Sequence, residues 1–570
     1  MIYKSIYPIL DIPETNILSY VFPEGHEPSD TPIWIDAKEP QHFLSPRHAL
    51  RWIKHLTLGL DRLNIPRGDA VMIFTPNHIF VPVAYLAIVG SGRVFSGANP
   101  TYTSTEAEHQ IKNTGAQLIL AHPTLLQTAV EAARKAGLEN SQIFQFSDHP
   151  CETVDGVPDW RNMAGSLSDG QNFSWDRMTT TSKNTVATIN YSSGTTGVPK
   201  GVCVSHYNII ANSEQTIFMR DQEQLYKAET RPVERWIGFL PLYHAYGKRT
   251  GIAPRDDASL TLPGQLYMCV MAPKLLFPVY IMKNFAYEGF LQTIQDYQIT
   301  HLQVVPPILV MLDKRPETLR YNLSSLKNIL CGSAPLSKEL QNAVSRRFHV
   351  NIIQGWGMTE VTCGAIHVPG GRQDDSGSVG LLDPNCECKL LDDDGKEVAP
   401  GQPGELYIRG PQVCLGYWNN DLATKETIDD QKWLKSGDIA MVKNNCFWIV
   451  DRKKELIKVN AFQVAPAELE AVLLENKDVA DAAVVGITLH GEEWPRAYIT
   501  LKEDRKGKVG EEQIHNWMKT RVAKHKRLVG GIRFIDEVPK LPSGKIQRKV
   551  MRDWAKKDAK EIEGQSRAKL

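Results

Sequence analysis

The sequence predicts an α/β protein with a large N-terminal part of stacked helix and sheet layers, a small β-rich subdomain and a small α+β C-terminal part. Through roughly the first 450 residues, apolar β-rich runs alternate with helical patterns, which is typical of mixed α/β layers. From about Gly380, short strands are separated by Asp, Gly and Pro turns. Further helical patterns follow the charged stretch at residues 451–455, so we place a domain boundary near Lys454.

Composition and charge exclude several classes of protein. The chain has 570 residues, of which 42% are hydrophobic and 23% charged. These are ordinary globular values, and they exclude a disordered, collagen-like or coiled-coil protein. The 65 basic residues balance the 65 acidic ones. A dedicated nucleic-acid binder normally carries a basic excess, so no nucleic-acid partner is expected.

Membrane and secretory signals are not expected either. The longest wholly apolar run, residues 79–89, has 11 residues and contains Pro82. A membrane span needs roughly 18 such residues, so this run is interpreted as buried core. The N-terminus meets Asp11 and Glu14 before any long apolar segment, which argues against a secretory signal. The 9 cysteines are scattered without disulfide or zinc spacing, which favours a reducing compartment.

The elements of the large N-terminal part are expected in the following order. Residues 186–189 form a buried strand, and the hydroxyl of Ser205 caps the next helix. Residues 236–240 form another short strand. In the β-rich subdomain, strands are expected at 388–391 and 404–408. The acidic run at 392–395 between them lacks the remaining ligands of a calcium loop and is interpreted as a hairpin turn.

The C-terminal elements follow from similar patterns. Residues 447–450 form a strand, and Pro466 opens a helix that runs to residue 476. The apolar face of a second helix is marked by the residues Ile514, Trp517, Met518 and Val522. From Lys556 onward the chain is polar and charged, and we expect this tail to be frayed.

The strongest chemical signal is the loop at residues 191–201, Tyr-Ser-Ser-Gly-Thr-Thr-Gly-Val-Pro-Lys-Gly. Its glycines let backbone N–H groups approach a polyphosphate, its hydroxyls donate to phosphate oxygens, and Lys200 neutralises charge. It is not a Walker A loop, because Pro199 precedes the lysine and Gly201 follows it. The phosphate-binding residues expected here are Ser192, Ser193, Gly194, Thr195, Thr196, Gly197 and Lys200.

This loop resembles the AMP-binding signature of the adenylate-forming enzymes, a superfamily that includes acyl-CoA synthetases, 4-coumarate-CoA ligases, luciferases and peptide-synthetase adenylation domains. The resemblance covers roughly residues 45 to 550, with the motifs in family order. It implies an adenylation domain at residues 1–453, a mobile C-terminal domain at 454–555 and a polar tail at 556–570.

Two further motifs resemble the family's nucleotide site. Residues 332–336, Gly-Ser-Ala-Pro-Leu, resemble the loop whose backbone packs on adenine. Residues 354–360, Gln-Gly-Trp-Gly-Met-Thr-Glu, resemble the segment whose aromatic ring stacks on adenine and whose Thr contacts the α-phosphate. The nucleotide-binding residues implied are Ser333, Ala334, Gln354, Gly355, Trp356 and Thr359. Glu360, with Thr196, is implied to hold Mg²⁺, which prefers oxygen ligands and substrate phosphates.

Three motifs resemble the family's ribose clamp, hinge and catalytic lysine. Asp438 would accept both ribose hydroxyls, and Arg452 would also reach the ribose. Lys454 would be the hinge between the domains, and both it and Lys458 are grouped with the nucleotide-binding residues. Lys545, in the loop Pro-Ser-Gly-Lys, would bridge the carboxylate and the α-phosphate during adenylation. It would act electrostatically, because charge builds on the phosphate oxygens in that step.

The acyl and CoA sites are implied by two weaker motifs. His244 and Tyr246 resemble the segment at the mouth of the family's acyl pocket, and residues 304–307 are expected to line that pocket. His244 and Thr196 are therefore grouped with Lys545 as catalytic. Asn460 and Ala461 lie where pantetheine passes. The family usually has glycine at the position of Ala461, so one added methyl group is expected to weaken CoA binding modestly.

The resemblance implies an acyl-CoA ligase that joins a carboxylic acid to coenzyme A, using ATP and Mg²⁺ and passing through an acyl-adenylate. The acid is left open as aryl, fatty or polyketide-derived. A luciferase-like oxidative enzyme would share these motifs, and a non-catalytic nucleotide-binding or acyl-binding relative is the third alternative. The presence of Lys200, Glu360, Asp438 and Lys545 argues against the last of these.

The sequence ends in Ala568-Lys569-Leu570, which resembles the Ser-Lys-Leu peroxisomal address with Ala in place of Ser. This ending predicts recognition by the peroxisomal import receptor. Without that recognition, the protein is expected in the cytoplasm.

Residues 248–264 are the largest departure from the family. In the family the motif with His244 leads directly into a helix, whereas this stretch has no helical period and carries two prolines and two glycines. One hypothesis is a surface loop, since long insertions cost little closure entropy. The hypothesis we favour is an unspliced intron, because the stretch is in frame and Gly247-Lys248 can be encoded with a splice-donor-like sequence.

Overall fold

The computed structural model describes residues 1–164, 173–192, 199–222, 233–240, 264–459, 462–540 and 546–567. The strands up to the middle of the chain are β1 (Tyr3–Lys4), β2 (Trp34–Asp36), β3 (Phe43–Leu44), β4 (Ala70–Phe74), β5 (Val94–Ala98), β6 (Leu118–Ala121), β7 (Ile143–Gln145), β8 (Val186–Ser192), β9 (Lys200–Ser205), β10 (Trp236–Gly238), β11 (Val279–Ile281), β12 (His301–Val304), β13 (Asn328–Cys331) and β14 (Asn351–Trp356). The later strands are β15 (Ile366–His367), β16 (Leu381–Leu382), β17 (Glu387–Leu391), β18 (Gly404–Arg409), β19 (Gly416–Tyr417), β20 (Leu434–Lys443), β21 (Cys446–Arg452), β22 (Ile457–Val459), β23 (Phe462–Val464), β24 (Val479–Leu489), β25 (Glu492–Leu501) and β26 (Ile532–Phe534).

The helices are interleaved with these strands. They are α1 (Ile17–Val21), α2 (Pro46–Arg62), α3 (Val81–Gly90), α4 (Ser104–Thr114), α5 (Leu126–Ala136), α6 (His206–Asp221), α7 (Ala272–Leu275), α8 (Tyr287–Asp296), α9 (Pro306–Lys314), α10 (Lys338–Phe348), α11 (Asp421–Thr427), α12 (Pro466–Glu475), α13 (Glu511–Lys519) and α14 (Arg548–Arg567). A π-helical segment, Gly264–Met271, leads directly into α7.

Two large mixed sheets organise the N-terminal part. The first has the strand order β19-β9-β8-β5-β4-β6-β7, and its pairs from β8 to β7 are parallel. The second has the order β16-β15-β14-β13-β12-β10-β11-β2-β3, with a parallel centre and antiparallel ends. Helix α3, which contains most of the apolar run at residues 79–89, is buried along its whole length. These sheets confirm the predicted α/β layers.

Two smaller assemblies follow. Strands β1, β17, β18, β20 and β21 form an antiparallel sheet, which is the predicted β-rich subdomain. The C-terminal part combines the hairpin β22–β23 with the sheet β24-β25-β26 and the helices α12 to α14. Among the helices that the structure describes, none combines the length and the apolarity needed to cross a lipid bilayer.

Local sequence signals account for several helix ends. Ser205 caps α6 as predicted, because its hydroxyl accepts the N–H of Asn208 at 3.1 Å. Thr103 and Glu106 form a reciprocal capping box at the start of α4. The acidic run at 392–395 is a turn between β17 and β18, since the N–H of Asp392 donates to the carbonyl of Lys396. That interpretation is confirmed.

Three expectations need correction. The chain from Lys556 is not a frayed tail, because α14 runs to Arg567 and buries Asp558 to 2% exposure. The strand expected at 236–240 ends at Gly238. Helix α13 ends at Lys519, so Val522 lies beyond it, although it still packs against the same core as Ile514 and Met518.

Candidate active site

The centre of the candidate site is the antiparallel pair β14–β15, which pairs Gly355 with His367 and Trp356 with Ile366. A cavity of about 620 Å³, including solvent at its mouth, lies beside this pair. The residues that line it are Leu240, Tyr267, Gln303, Val304, Leu330, Gly332, Ser333, Gly355, Trp356, Gly357, Met358, Thr359, Thr362, Cys363, Gly364 and His367. The two nucleotide motifs at 332–336 and 354–360 therefore converge on one cavity.

The proposed ribose clamp is assembled by two strands. Asp438 and Arg452 are direct partners in the β20–β21 ladder, and their side chains lie 3.5 Å apart. The indole Nε1 of Trp356 donates to the other carboxylate oxygen of Asp438 at 2.8 Å. One carboxylate thus joins the aromatic residue to the arginine, beside the cavity. This is the arrangement needed for a carboxylate to meet sugar hydroxyls next to a base-stacking ring.

Glu360 and Lys200 both contact Tyr417, a residue that was not predicted from the sequence. Tyr417 lies in β19, which pairs with β9, and its hydroxyl donates to Oε1 of Glu360 at 2.9 Å. The ammonium of Lys200 lies 4.9 Å from the centre of the Tyr417 ring. Burial, and next the charge of Glu360, raise the pKa of Tyr417, so it stays a neutral donor. A buried carboxylate and a cation therefore flank one phenol at the end of the 191–201 loop.

The loop after β13 brings a hydroxyl to the same cavity. Ser333 follows Gly332 and has a φ of 73°, a left-handed conformation that is rare outside glycine. Thr359 is 3% exposed and begins a short 3₁₀ turn that also contains Glu360. Ser333 and Thr359 both line the cavity, while their contacts with adenine and the α-phosphate stay predictions.

Besides Lys200, Asp438 and Arg452, four predicted nucleotide-binding residues in the described part of the chain do not line the cavity. The Gln354 amide donates to the Leu336 carbonyl and to Gln341, so it braces the strand. Ala334 is half-buried in the loop after Ser333. Lys454 and Lys458 are exposed, and the Lys458 N–H donates to Glu493 at 2.9 Å. The Lys454 carbonyl accepts from Arg552 at 3.4 Å, so both lysines contact the C-terminal part of the chain.

The remaining predicted site residues lie outside the described residues. They are Ser193, Gly194, Thr195, Thr196, Gly197, His244, Tyr246, Asn460, Ala461 and Lys545, together with the side chain of Ser192. Residues 248–263 of the unusual stretch also lie outside, and so does the ending Ala568-Lys569-Leu570. The helical segment Gly264–Met271 begins where a helix was expected to resume. Roles for the undescribed residues stay predictions.

A charged network lies at the predicted hinge. Arg548, three residues after Lys545, donates to Glu455 at 2.6 Å and to Glu470 at 2.5 and 2.9 Å. Asp451 is 3% exposed and accepts the N–H of Ala467, at the first turn of α12. Burial raises the pKa of Asp451 to about 6, against the charge of Arg548. The end of β21 is therefore tied to the segment that follows the lysine loop.

The sequence reasoning also missed a buried pair in the cavity wall. Nδ1 of His367 lies 2.9 and 2.8 Å from the two carboxylate oxygens of Asp383. The available signal was a lone histidine within an apolar run, Ala365-Ile366-His367-Val368. Nothing in the sequence linked it to Asp383, because the two meet through the pairing of β15 with β16.

Comparison with known proteins gives two family matches. The family model described as AMP-binding enzyme matches residues 26–418, and the AMP-binding enzyme C-terminal domain matches residues 468–545. The boundary predicted near Lys454 lies between these ranges and stays a prediction.

Curated relatives match along almost the whole chain. The acyl-CoA synthetase ACTT5 of Alternaria alternata is 35% identical, with 93% of this chain and 88% of that protein covered. The phenylacetyl-CoA ligase epaB of Aspergillus niger is 34% identical, with 97% and 98% covered. The peroxisomal OPC-8:0-CoA ligase 1 of Arabidopsis thaliana is 32% identical, with 95% and 93% covered.

A solved structure shows the same fold. The anthranilate CoA ligase AuaEII in complex with anthranoyl-AMP has a TM-score of 0.80 and 23% identity, with 96% of this chain and 99% of that chain covered. The chain belongs to the AMP-binding enzyme family and, with its acyl-CoA synthetase and ligase relatives, to the acid–CoA ligases within it.

Proposed function

We propose that this ligase activates an aryl, fatty or polyketide-derived carboxylic acid with Mg·ATP and transfers the acyl group to coenzyme A. The observation that carries the proposal is the continuity between the Trp356–Asp438–Arg452 cluster and the cavity lined by Tyr267 and Leu330. A ribose and base bound at the Trp356–Asp438–Arg452 cluster would place the α-phosphate beside Thr359. An acid bound in the cavity would then lie next to that phosphate.

In the first step, a carboxylate oxygen of the acid attacks the α-phosphorus of ATP. The bond between the α-phosphorus and the bridging oxygen breaks, and pyrophosphate leaves. Lys200 and Lys545 would stabilise the charge that builds on the phosphate oxygens, while Asp438 and Arg452 hold the ribose in place. The product is an acyl-adenylate.

In the second step, the thiolate of coenzyme A attacks the acyl carbon. The bond from that carbon to the phosphate oxygen breaks, AMP leaves, and the thiol proton is released. We propose that the C-terminal domain turns about Lys454 between the steps, which takes Lys545 away and brings Asn460 and Ala461 to the pantetheine. His244 would lie at the mouth of the acyl pocket in both steps.

The residues present fit a magnesium ion. Glu360 is 6% exposed and offers a carboxylate beside Thr359, in a cluster that also contains Lys200. Carboxylate oxygens together with substrate phosphates are the usual Mg²⁺ ligands. Glu360 and Thr196 would hold the ion, which when bound neutralises part of the triphosphate charge.

The test is turnover with a panel of acids. Pyrophosphate release should depend on ATP, Mg²⁺ and one class of acid, and the thioester should appear when coenzyme A is added. Phenylacetic acid belongs in the panel because of the phenylacetyl-CoA ligase relative. Acyl-adenylate formation followed by oxygen uptake, without thioester, would instead support the luciferase-like alternative. Absence of both reactions with every acid would contradict the proposal.

The role of Lys545 has its own test. Lys545→Ala should slow adenylation by about 10²–10³-fold, the usual value of one charge-stabilising donor. Thioester formation from synthetic acyl-AMP should persist, because the lysine would have left the site by then. The matched control is Lys556→Ala, since Lys556 is 76% exposed and pairs only weakly with Asp553. Equal loss of both half-reactions would contradict the two-conformation proposal.

We propose peroxisomal location on the basis of Ala568-Lys569-Leu570, with the import receptor as partner. One curated relative carries the word peroxisomal in its name. A fluorescent protein fused to the last twelve residues should form puncta that overlap a peroxisomal marker. Removal of the last three residues should make the signal diffuse, and a diffuse signal from the intact fusion would refute the proposal.

A further inference from the structure

His367 and Asp383 form a buried hydrogen-bonded pair in the wall of the cavity. His367 is 8% exposed and lines the cavity, whereas Asp383 is 0% exposed. Both carboxylate oxygens lie within 2.9 Å of Nδ1. A buried carboxylate needs such a partner, because its desolvation is otherwise costly. The pair therefore fixes the orientation of the imidazole and leaves Nε2 as the ring nitrogen that Asp383 does not contact.

Glycines make room for the ring. A Cβ atom on Gly364 would lie 2.4 Å from Cε1 of His367 and 2.6 Å from Nε2, closer than atoms can approach. A Cβ atom on Gly355, the ladder partner of His367, would lie 3.3 Å from Cδ2. The ring is thus enclosed between two backbones that carry no side chain. Such close packing allows one ring position, which is what a recognition group requires.

The available hydrogen-bonding atom is Nε2. Among the described residues, Nε2 of His367 has no hydrogen-bond partner, and it is not sealed from solvent. Burial opposes the charged ring, but the charge and hydrogen bond of Asp383 outweigh it and raise the pKa of His367. Because Nδ1 donates to Asp383, protonation of the ring places the second hydrogen on Nε2, and in that form Nε2 is a charge-assisted donor to an acceptor in the adjacent space.

The position of this donor separates it from the nucleotide. Gly355 and Trp356 are neighbours in β14, so their side-chain directions point to opposite faces. Trp356 contacts Asp438 on one face, and His367 stands opposite Gly355 on the other. The lining of the cavity combines apolar residues such as Leu330 and Met358 with polar ones, which include Tyr267, Gln303 and Thr362. A few polar groups placed in a partly apolar wall select for a ligand with matching polar atoms.

We propose that His367 is a specificity-determining residue, whose Nε2–H donates to a hydroxyl or ketone oxygen on the acyl group of the acid, away from its reacting carboxylate. This inference rests on the proposed ligase function and names the class of acid within it. An acid that carries only hydrocarbon at this point would leave the donor desolvated and unpaired. Sites built around such a group reject analogues that lack the matching atom.

The first experiment compares matched acids with the wild-type protein. The pairs are 4-hydroxyphenylacetic with phenylacetic acid, 4-coumaric with cinnamic acid, and a keto fatty acid with its saturated parent. Within the pair that is turned over best, the oxygenated acid should have a kcat/KM about 10–100-fold higher, as for a hydrogen bond to a charged group. A preference below about twofold in every pair would overturn the inference while leaving the ligase activity established.

The second experiment removes the donor. His367→Leu should reduce the preference to within about threefold, and His367→Gln, which keeps an N–H, should retain part of it. The matched control is His26→Leu, since His26 is exposed and is not one of the residues that line the cavity. Asp383→Asn should also weaken the preference, because Asp383 positions the ring. An unchanged preference in His367→Leu would overturn the inference.

A binding measurement separates this inference from the proposed function. Non-hydrolysable acyl-sulfamoyl adenosines, with and without the oxygen, can be titrated by calorimetry without turnover. A Kd ratio of about 10-fold or more that disappears in His367→Leu supports the subsite even if no thioester forms. A ratio near one refutes it even if thioester formation is fast.

Discussion

Asp558→Ala should strongly destabilise the C-terminal part of the protein, although sequence alone placed this residue in a frayed tail. Asp558 lies in α14 and is 2% exposed. Its carboxylate accepts hydrogen bonds from Arg496 at 2.8 Å, Tyr498 at 2.8 Å and Arg533 at 2.5 Å. Arg496 is itself 7% exposed, so removal of the carboxylate leaves a buried guanidinium that still donates to the Gly530 carbonyl at 2.7 Å.

The expected magnitude follows from that burial. Breaking a buried ion pair by removing one partner costs about 3–5 kcal/mol. The contact with Arg533 adds little, because that side chain is 51% exposed and exposed pairs contribute about 0–1 kcal/mol. With a urea m-value of about 2 kcal/mol/M, the unfolding midpoint of this part of the chain should fall by about 2 M.

The assay combines urea unfolding with hydrogen exchange of the amides in β24 and β25, the strands that α14 covers. Asp553→Ala is the matched control, since Asp553 lies on the same helix, is 57% exposed and pairs with the exposed Lys556 at 3.4 Å. Its midpoint should stay within about 0.3 M of wild type, as expected for surface substitutions. A loss below about 1 kcal/mol in Asp558→Ala would refute the reasoning.

The pH dependence gives a second check on Asp558. Burial opposes ionisation, but hydrogen bonds from Tyr498 and Arg496 outweigh it and hold the pKa of Asp558 below its ordinary value. The stabilisation is therefore present above the unfolded-state pKa, about 3.9, and is lost as the pH falls through the lower folded-state pKa. The difference between wild type and Asp558→Ala should shrink only in that acid range.

Three further predictions concern the hinge, the CoA path and the unusual stretch. Burial raises the pKa of Asp451 to about 6, so ionising this carboxyl costs folding stability as the pH rises. Between pH 4 and pH 7, the free energy of unfolding of Asp451→Asn should therefore rise by up to about 3 kcal/mol relative to wild type. A difference between the two proteins that does not change with pH in urea titrations would contradict this. Ala461→Gly should lower the KM for coenzyme A or leave it unchanged, and a large rise in steady-state assays would show that the motif is misaligned. If residues 248–264 are an unspliced intron, their deletion should raise the kcat/KM of the ligase reaction. If every transcript retains this stretch and the 570-residue protein is fully active, the surface-loop hypothesis is the one that holds.

Features set by local sequence were predictable. The apolar run that became α3, the serine cap of α6 and the turn at 392–395 each depend on residues adjacent in the chain. The convergence of residues 332–333 with 355–359 was predictable only through the family resemblance. Tyr417 was missed because nothing local links it to Glu360; the contact depends on β19 pairing with β9.

Asp558 was missed for a different reason. Its neighbours in α14, such as Lys556 and Lys560, are charged, and the stretch has the composition of a solvated tail. One buried acid among exposed ones leaves no periodic signal, and its partners Arg496 and Arg533 lie in β25 and β26. Long-range ion pairs of this kind depend on tertiary packing, so composition gives the wrong answer.

Strand β14 gives a reason why the proposed acid subsite and the proposed nucleotide site can differ independently. Trp356 on one face is held by Asp438, whereas Gly355 on the other face contributes only the space that His367 fills. A change at His367 or Asp383 therefore alters what the cavity accepts without moving the indole or the Asp438–Arg452 pair. His367→Leu should accordingly change kcat/KM ratios between acids while the KM for ATP stays within about twofold. A parallel rise in the KM for ATP would mean that β14 transmits the change and that the two faces are coupled.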